Sequence, residues 1–338
     1  MRFLLLLFLA ASSVAQWQTQ SSGTDASLRG ISAVSANVAW ASGTNGTVLR
    51  TVDGGEHWQR LPVEGAEQLD FRDIQAFSET TAFVLSIGPG EHSRIYKTTD
   101  AGQHWTLQFM NHDPKAFYDC FAFWDEKRGI AVSDSVNGAF PLIVTNGQIW
   151  STRHPRVMPP ALANEGAFAA SGTCITTADW QDVWFATGGP AARVFHSRDH
   201  GQSWTVVNTP LLSGKAPQGI FSIAFHDIKN GAIVGGDYEK AENAQQNFAV
   251  THDGGAHWIM PKIPPRGYRS AVVFPGKSSD VLIAVGTTGS DYSTDGGNTW
   301  RPLDTANYNA ASFAADGAGW AVGPKGRIAK FTGLPAGN

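Results

Sequence analysis

Three arginines follow a large apolar residue in a similar sequence setting. They stand in the dipeptides Leu28-Arg29, Phe71-Arg72 and Tyr268-Arg269. A guanidinium group carries five N–H donors in a flat fork, so guanidinium groups that converge can bind a carboxylate through paired, charge-assisted hydrogen bonds. These arginines are therefore candidates for binding an acidic ligand, provided that the fold brings them together.

Carboxylates suggest a second kind of chemistry. Hydrolysis of a glycosidic bond requires two carboxylates about 5 to 10 Å apart. The weak catalytic candidates are Asp119, Asp134, Glu165 and Asp237, which allow the pairs Asp119 with Glu165 or Asp134 with Asp237. The spacing of histidines and cysteines does not resemble a metal site, and no motif for a cofactor is present, so we expect neither.

Most other aspartates that draw attention belong to a repeated phrase, Ser/Thr-x-Asp-x-Gly-x-x-Trp, here called the box. Its five copies contain Asp53 and Trp58, Asp100 and Trp105, Asp199 and Trp204, Asp253 and Trp258, and Asp295 and Trp300. A degenerate sixth copy ends at Trp150, with Thr145 or Asn146 in place of the aspartate. A short Asp accepts backbone N–H groups two residues on, Gly tolerates positive φ, and Trp buries a large ring. We interpret the boxes as hairpin turns without a catalytic role.

The elements that must position these residues are short strands separated by Gly, Asn, Asp and Pro turns, a pattern typical of meandering antiparallel sheets. Seven such units are predicted to begin near Leu28, Leu69, Phe117, Ala167, Gly219, Tyr268 and Tyr308. The seventh unit lacks its own Trp strand, and Trp17-Gln18 resembles Trp58-Gln59, so the N-terminal strand should complete the last sheet. We expect an all-β, seven-bladed β-propeller of four-stranded blades over residues 16–338.

In such a ring the inner strands begin at one mouth of the central channel, and the boxes lie on the opposite face. The register would place Arg29, Arg72 and Arg269 at equivalent positions of that mouth, where ligands are expected. Other candidates for binding at this mouth are Tyr118, Tyr268, Tyr308 and Lys325, together with Asp237 and Tyr238 in the longest insertion. Alternatively, each arginine pairs with a carboxylate such as Asp73 or Asp119 in a structural network, and the insertion is a tolerated surface excursion.

Composition limits the partners and the compartment. The net charge of −4 gives no drive toward nucleic acid or anionic membranes. Arg2, the apolar run 3–11 and the small residues 13–15 predict a signal peptide over residues 1–15 and export to the periplasm or beyond. No segment has the roughly 20 apolar residues that a membrane helix needs.

The chain has two cysteines, Cys120 and Cys174. A disulfide requires Cα atoms within about 7 Å, and inner strands of neighbouring blades usually stand further apart. We expect two separate buried thiols, with one disulfide as the alternative.

The box identifies a resemblance. It is similar to the Asp-box, or BNR, repeat of sialidases, xyloglucanase-type glycoside hydrolases, sortilin-type receptors and the photosystem II stability/assembly factor family. The stretch from Gly43 to Trp58 and the stretch from Ala321 to Ile328 resemble the assembly-factor version most. This resemblance implies an exported or lumenal propeller that binds a protein.

Two functions from different classes follow. The first is an exported, non-enzymatic scaffold that binds a partner protein or peptide at the Arg-bearing mouth, without a cofactor. The second is a sialidase-like or other glycoside hydrolase that acts on an acidic glycan, because Phe71 to Ile74 and Tyr268 to Ala271 faintly resemble the sialidase aromatic-Arg-Ile-Pro motif. Both stretches lack the proline, and the sequence does not place the Tyr nucleophile and activating Glu of a sialidase.

Overall fold

The computed structural model describes residues 16–335, which form seven four-stranded antiparallel sheets. The first half of the described chain contains β1 (Trp17–Gln20), β2 (Leu28–Ala33), β3 (Ala39–Gly43), β4 (Thr47–Thr51), β5 (Gln59–Arg60), β6 (Asp70–Ala76), β7 (Ala82–Ile87), β8 (Arg94–Thr98), β9 (Thr106–Met110), β10 (Tyr118–Asp125), β11 (Arg128–Ser133), β12 (Leu142–Thr145) and β13 (Trp150–Arg153).

The second half contains β14 (Ile175–Ala178), β15 (Asp182–Ala186), β16 (Gly188–Gly189), β17 (Arg193–Ser197), β18 (Thr205–Asn208), β19 (Lys215–Phe225), β20 (Gly231–Asp237), β21 (Phe248–Thr251), β22 (Ala271–Val273), β23 (Leu282–Gly286), β24 (Gly289–Ser293), β25 (Arg301–Asp304), β26 (Ala310–Phe313), β27 (Gly319–Val322) and β28 (Ile328–Phe331). Two short 3-10 helices cover Gly90–His92 and Tyr238–Lys240.

The sheets are the blades of a closed ring. Blades one to three are β2 to β5, β6 to β9 and β10 to β13; blade four is β14, β15, β17 and β18; blade five is β16 and β19 to β21; blade six is β22 to β25; and blade seven is β26 to β28 with β1. Each inner strand contacts the inner strands of the next and the preceding blade, and the last contacts the first. The predicted seven-bladed propeller is confirmed.

The second strand of each blade is buried on both faces because it lies between two neighbouring sheets. Trp40 on β3, Trp184 on β15 and Trp320 on β27 occupy equivalent positions and are fully buried. Their indole N–H groups donate, respectively, to Ser78 O at 3.1 Å, Gly254 O at 2.9 Å and Gln20 Oε1 at 3.1 Å. Each ring therefore fills a gap between blades without leaving its polar atom unpaired.

The N-terminal strand closes the ring as the sequence predicts. β1 pairs with β28, with Trp17 opposite Phe331. The Trp17 ring packs on Tyr308 and Phe331, with centroids 5.6 and 5.2 Å away, and its indole donates to Ser290 Oγ at 3.1 Å. The first and last strands thus hide each other's edges.

Cys120 and Cys174 form a disulfide with Cα atoms 6.1 Å apart, which corrects the expectation of two separate thiols. The expectation assumed that the inner strands of neighbouring blades stand too far apart for a bridge. Cys120 lies on β10, and Cys174 directly precedes β14, with its carbonyl accepting the Ala186 N–H of β15 at 2.9 Å. The strands β10 and β14 contact each other, so the two Cα atoms come within bridging distance.

Blade four also departs from the predicted start near Ala167, because its inner strand begins at Ile175. The predicted signal peptide, residues 1–15, lies outside the described residues. Within residues 16–335, no helix has the length and apolar character needed to cross a membrane.

Candidate functional site

Each box is a compact turn built on two side chains. In the second copy, Thr98 Oγ1 accepts the Gly102 N–H at 3.0 Å and donates to Asp100 Oδ1 at 2.9 Å. Asp100 accepts the His104 backbone N–H at 2.9 Å and contacts the His104 ring nitrogen at 2.6 Å. Gly102 has a φ of 81°, so the turn requires its left-handed backbone. The aspartate reaches four residues on, not the two that we expected, because the buried Thr hydroxyl holds the nearer N–H.

The same turn recurs in the other boxes. The aspartate accepts the backbone N–H four residues later in the copies with Asp53, Asp199, Asp253 and Asp295. In the degenerate copy, Asn146 accepts the N–H groups of Gln148 and Ile149, while Thr145 accepts that of Gly147. In each described copy, the Asp or Asn side chain is therefore hydrogen-bonded within its own turn.

The mouth on the opposite face brings two of the three arginines together. Arg29 and Arg72 are half-buried on adjacent inner strands. Burial lowers the pKa of Arg29, and the neighbouring charge of Arg72 lowers it further. Arg72 pairs with Asp70, at 2.8 Å from Nη2 to Oδ2, with a quarter of each side chain exposed. These two arginines form a positively charged pair that faces the mouth.

Backbone carbonyls hold this arginine pair in place. Arg29 Nη1 donates to Ala170 O at 3.2 Å, and Arg72 Nη1 donates to Ala169 O at 3.0 Å. Both carbonyls belong to residues 166–173, a stretch of blade four that we call the channel plug. It contacts blade six through the Ser171 hydroxyl, which donates to Ser270 O at 2.8 Å. The plug therefore crosses the ring and closes the channel at this mouth.

Arg269 belongs to a different environment. It is fully buried and forms an ion pair with Asp291 through Nη2, while its Nε donates to the same Oδ2 at 2.8 Å. Its Nη1 donates to Tyr268 O at 2.7 Å and Thr288 Oγ1 at 2.9 Å. Burial lowers the pKa of Arg269, opposed by the Asp291 charge. For this arginine, the structure matches the alternative of a structural network, with a carboxylate that the sequence did not indicate.

An aromatic wall lies beside the arginine pair. Phe168 of the plug stacks on Phe221 with centroids 3.8 Å apart, and Tyr268 meets Phe221 edge-on at 4.8 Å. Tyr238 is 50% exposed and meets Phe221 edge-on, with ring centroids 6.0 Å apart. The charges of Arg29 and Arg72 act on the Tyr268 hydroxyl, although burial dominates and raises its pKa. The mouth thus combines cationic donors with apolar ring surface.

The remaining aromatic candidates are packing residues. Tyr118 is buried against Phe109 at 5.1 Å, and its burial raises its pKa to about 12. Tyr308 is buried in the last blade, its hydroxyl 3.4 Å from Asp304.

Lys325 is exposed in the turn between β27 and β28.

The acidic candidates are brought together in a combination other than the proposed pairs. Asp119 lies buried near Asp134, and Asp119 Oδ2 has no hydrogen-bond partner within residues 16–335. Burial raises the pKa of Asp134 to about 6, and burial with the Asp134 charge raises that of Asp119 well above its usual range. Asp134 Oδ1 accepts the Ala167 N–H of the plug at 2.9 Å.

Glu165 and Asp237 are engaged elsewhere. Glu165 is buried, ion-paired with Arg193 through Nη2, and accepts the Thr187 hydroxyl at 2.6 Å. Asp237 accepts the Gln218 amide and the Glu239 N–H, both at 3.0 Å. The structure therefore places both carboxylates in internal networks.

Below the plug, a cavity of about 390 Å³ follows the channel and is lined by inner-strand residues of all seven blades. Asp73 lies at its closed end, where Oδ2 accepts the Phe121 N–H at 2.9 Å. Burial raises the pKa of Asp73 well above its usual range, and the Phe121 N–H opposes this rise.

Within the described chain, one group of side chains has ligand atoms close enough to hold a metal: Asp53, Glu56 and His57 of the first box. The His57 ring already contacts Asp53 at 2.7 Å and is 87% exposed. The box turn accounts for this grouping.

Sequence reasoning missed the plug. Its stretch from Gly166 to Gly172 consists of glycine, alanine and serine apart from Phe168. That composition, poor in β-branched residues, disfavours a strand and was the available signal.

Comparison with known proteins finds similarity to photosystem II assembly factors. The family model described as "Photosynthesis system II assembly factor YCF48" matches residues 9–122. A curated relative, the "Photosystem II assembly lipoprotein Ycf48" of Synechococcus sp. (strain CC9902), is 24% identical over 224 residues, which cover 65% of this chain. The match spans 57% of that relative's length. These findings confirm the resemblance to the photosystem II assembly-factor propellers.

Solved structures show the same fold. "YCF48 bound to D1 peptide" matches with a TM-score of 0.68 at 14% identity, over 96% of this chain and 99% of that one. "YCF48 from Cyanidioschyzon merolae" matches with a TM-score of 0.66 at 19% identity, over 94% and 99%. A xyloglucanase from Xanthomonas campestris reaches 0.46 at 12% identity, over 88% of this chain and 57% of that one, too low for a conclusion about activity.

Proposed function

We propose that this protein is an exported, non-enzymatic scaffold whose Arg-bearing mouth binds a carboxylate of a partner protein or peptide. The observation that carries the proposal is the pair formed by Arg29 and Arg72. Within residues 16–335, Arg29 donates one hydrogen bond, to Ala170 O, although its guanidinium group has five donors. The spare donors can hold a carboxylate, because no carboxylate of the described chain forms an ion pair with Arg29.

Burial makes such a site stronger than an exposed one. Two guanidinium groups held side by side repel each other, and a bound carboxylate relieves this repulsion while forming charge-assisted hydrogen bonds. The adjacent rings of Phe221, Tyr238 and Tyr268 can pack against an apolar side chain next to that carboxylate. The fitting ligand is therefore a peptide with a carboxylate beside an aromatic or aliphatic residue.

The relatives support a peptide as ligand. One solved relative is described as bound to a D1 peptide, and another relative is described as a photosystem II assembly lipoprotein. We propose the corresponding role here, an exported assembly factor that holds a peptide segment of its client. Export also fits the predicted signal peptide over residues 1–15 and the Cys120–Cys174 disulfide, which persists in oxidising compartments.

We do not advance the hydrolase alternative, because the geometry offers it no specific support. Of the candidate carboxylates, Glu165 is ion-paired with Arg193, and Asp237 accepts two hydrogen bonds from within its own blade.

Peptide capture tests the proposal. The immobilised protein is incubated with a peptide library that lacks Asp and Glu and has free C-terminal carboxylates, and with the same library amidated. Wild type should enrich peptides from the free-carboxylate library, because Arg29 and Arg72 require the negative charge. The double variant Arg29→Gln/Arg72→Gln should lose at least about tenfold of this enrichment, which corresponds to one charge-assisted hydrogen bond.

The matched control is Arg60→Gln/Arg301→Gln, which removes the same charge from two exposed outer-strand positions. It should capture peptides as wild type does. Equal recovery by wild type and Arg29→Gln/Arg72→Gln would refute the binding mouth. Turnover of a fluorogenic sialoside that disappears in the double variant would replace the scaffold with a hydrolase.

A further inference from the structure

The channel plug, residues 166–173, holds the arginine pair but is not itself a strand. Between Ala167 and Cys174 the chain makes no β-ladder, and its contacts reach other blades instead. The carbonyls of Ala169 and Ala170 accept Arg72 and Arg29, and the Thr173 hydroxyl donates to Ser222 at 2.7 Å. A coil held by single contacts to several blades has little cooperative support of its own.

The arginines depend on the plug for a physical reason. Arg29 and Arg72 are like charges in a partly buried setting, so each needs acceptors to remain beside the other. For Arg29 the acceptor within the described chain is Ala170 O, and Arg72 has Ala169 O besides Asp70. If the plug moved, Arg29 would lose its acceptor and the two guanidinium groups would separate.

One covalent link joins the plug to the ring. Cys174 directly follows the plug and is bonded to Cys120 near the start of β10. Both cysteines are fully buried, and the bridge links positions 54 residues apart. Because β10 is the inner strand of the preceding blade, the disulfide fixes the end of the plug against a rigid neighbour.

We infer that the Cys120–Cys174 disulfide anchors the channel plug, and that the anchored plug positions Arg29 and Arg72 for a carboxylate. The carboxylate ligand in this inference rests on the proposed function. The anchoring of the plug by the disulfide rests on the contacts of the plug alone. Formation of the disulfide thus completes the binding mouth, whereas the ring forms without it. Cys120, Cys174 and the plug are positioning elements and do not touch the ligand.

The first test compares wild type with Cys120→Ala/Cys174→Ala. Far-ultraviolet circular dichroism and cooperative urea unfolding establish that the ring persists. Two amides report on the plug: the Ala167 N–H, which donates to Asp134 Oδ1, and the Ile223 N–H, which donates to Thr173 O. Their hydrogen exchange and the NMR signals of the Arg29 and Arg72 Nε–H groups report on the mouth. The variant should exchange these amides at least about tenfold faster and shift both arginine signals, while amides of β22 to β25 stay protected.

Titration with benzoate, and with benzamide as its neutral analogue, tests whether the arginine pair binds a carboxylate. Titration of wild type with benzoate should move the Arg29 and Arg72 signals, and benzamide should not. The variant without the disulfide should bind benzoate at least about fivefold more weakly, because the arginine pair is no longer preorganised.

A second variant displaces the plug with the disulfide intact. Gly172 has a φ of 72°, and a Cβ there would lie 2.5 Å from Asp73 Oδ1. Gly172→Ala should therefore shift the arginine signals and weaken benzoate binding as the cysteine variant does. Gly65→Ala is the matched control, because Gly65 has a φ of 73° with no atom within 4 Å of the added Cβ.

The outcomes separate the two claims. Unchanged exchange of the Ala167 and Ile223 amides and unchanged arginine signals in Cys120→Ala/Cys174→Ala overturn the inference, even if benzoate binds wild type. Loss of plug protection without any response of wild type to benzoate supports the anchor and contradicts the ligand that we propose. If the cysteine variant does not fold, Gly172→Ala decides: wild-type arginine signals and benzoate affinity in that variant also overturn the inference.

Discussion

The two faces of the ring use charged side chains in opposite ways. On the box face, one turn is repeated from blade to blade, and its aspartates bind backbone N–H groups of their own turn. On the mouth face, equivalent positions differ: Arg29 and Arg72 form a half-exposed pair, and Arg269 is buried with Asp291. The repeated aspartates are hydrogen-bonded within their own turns, and the candidate site lies where the repeat diverges.

The largest expected effect on stability distinguishes Arg269 from Arg72. Arg269→Met should lower the free energy of unfolding by about 2–3 kcal/mol, because Asp291 loses its buried partner and keeps only the ion pair with Arg266 among the described residues. Arg72→Gln should cost less than about 1 kcal/mol, since its ion pair with Asp70 is partly exposed. Urea unfolding followed by tryptophan fluorescence measures both, and similar losses would contradict the division between a structural and a binding arginine.

A box variant should affect stability alone. Thr98→Val keeps the shape of a fully buried side chain but leaves the Gly102 N–H without its acceptor, which should cost about 1–3 kcal/mol. Thr106→Val, on the exposed strand β9, is the control. Benzoate binding should remain at the wild-type level in both variants. A loss of binding in Thr98→Val would show that the faces are not independent.

The carboxyl groups of the two faces should give pH dependences of opposite sign. The His104 backbone N–H and ring lower the pKa of Asp100 to about 2, below its unfolded value. Its stabilisation is therefore present above about pH 4 and is lost as the pH falls toward 2. Burial raises the pKa of Asp134 to about 6, above its unfolded value. The contribution of Asp134 to stability is therefore largest below about pH 4 and declines as the pH rises through 6.

Unfolding free energies measured between about pH 2.5 and 7 test this contrast. Asp100→Asn should reduce the loss of unfolding free energy below about pH 4. Asp134→Asn should reduce the loss of unfolding free energy between about pH 4 and 6. Matching profiles for the two variants would show that the carboxyls do not differ in environment.

The smallest stability effect concerns Tyr238, which is half-exposed at the edge of the aromatic wall. Tyr238→Ala should change the free energy of unfolding by less than about 0.5 kcal/mol. If the wall contacts a ligand, the same variant should weaken capture of free-carboxylate peptides severalfold. Capture equal to wild type would restrict the site to the arginines.

Much of the fold was predictable because the box sets the spacing of the blades. Trp17 was recognisable as the missing outer-strand tryptophan, and its pairing with Phe331 confirms it. The fate of Arg269 was not predictable, because Asp291 is one of many carboxylates and its proximity depends on the packing of β24. The Cys120–Cys174 bridge was missed because the distance between β10 and β14 depends on how the blades pack around the channel.

The sequence by itself determined the ring, the box turns and the strand that closes it, because these depend on patterns of a few residues repeated along the chain. Tertiary structure alone decided which arginines meet. Arg29 and Arg72 lie together on the carbonyls of Ala170 and Ala169, about a hundred or more residues away in the chain. Such contacts depend on the path of a coil across the channel, which local periodicity does not specify.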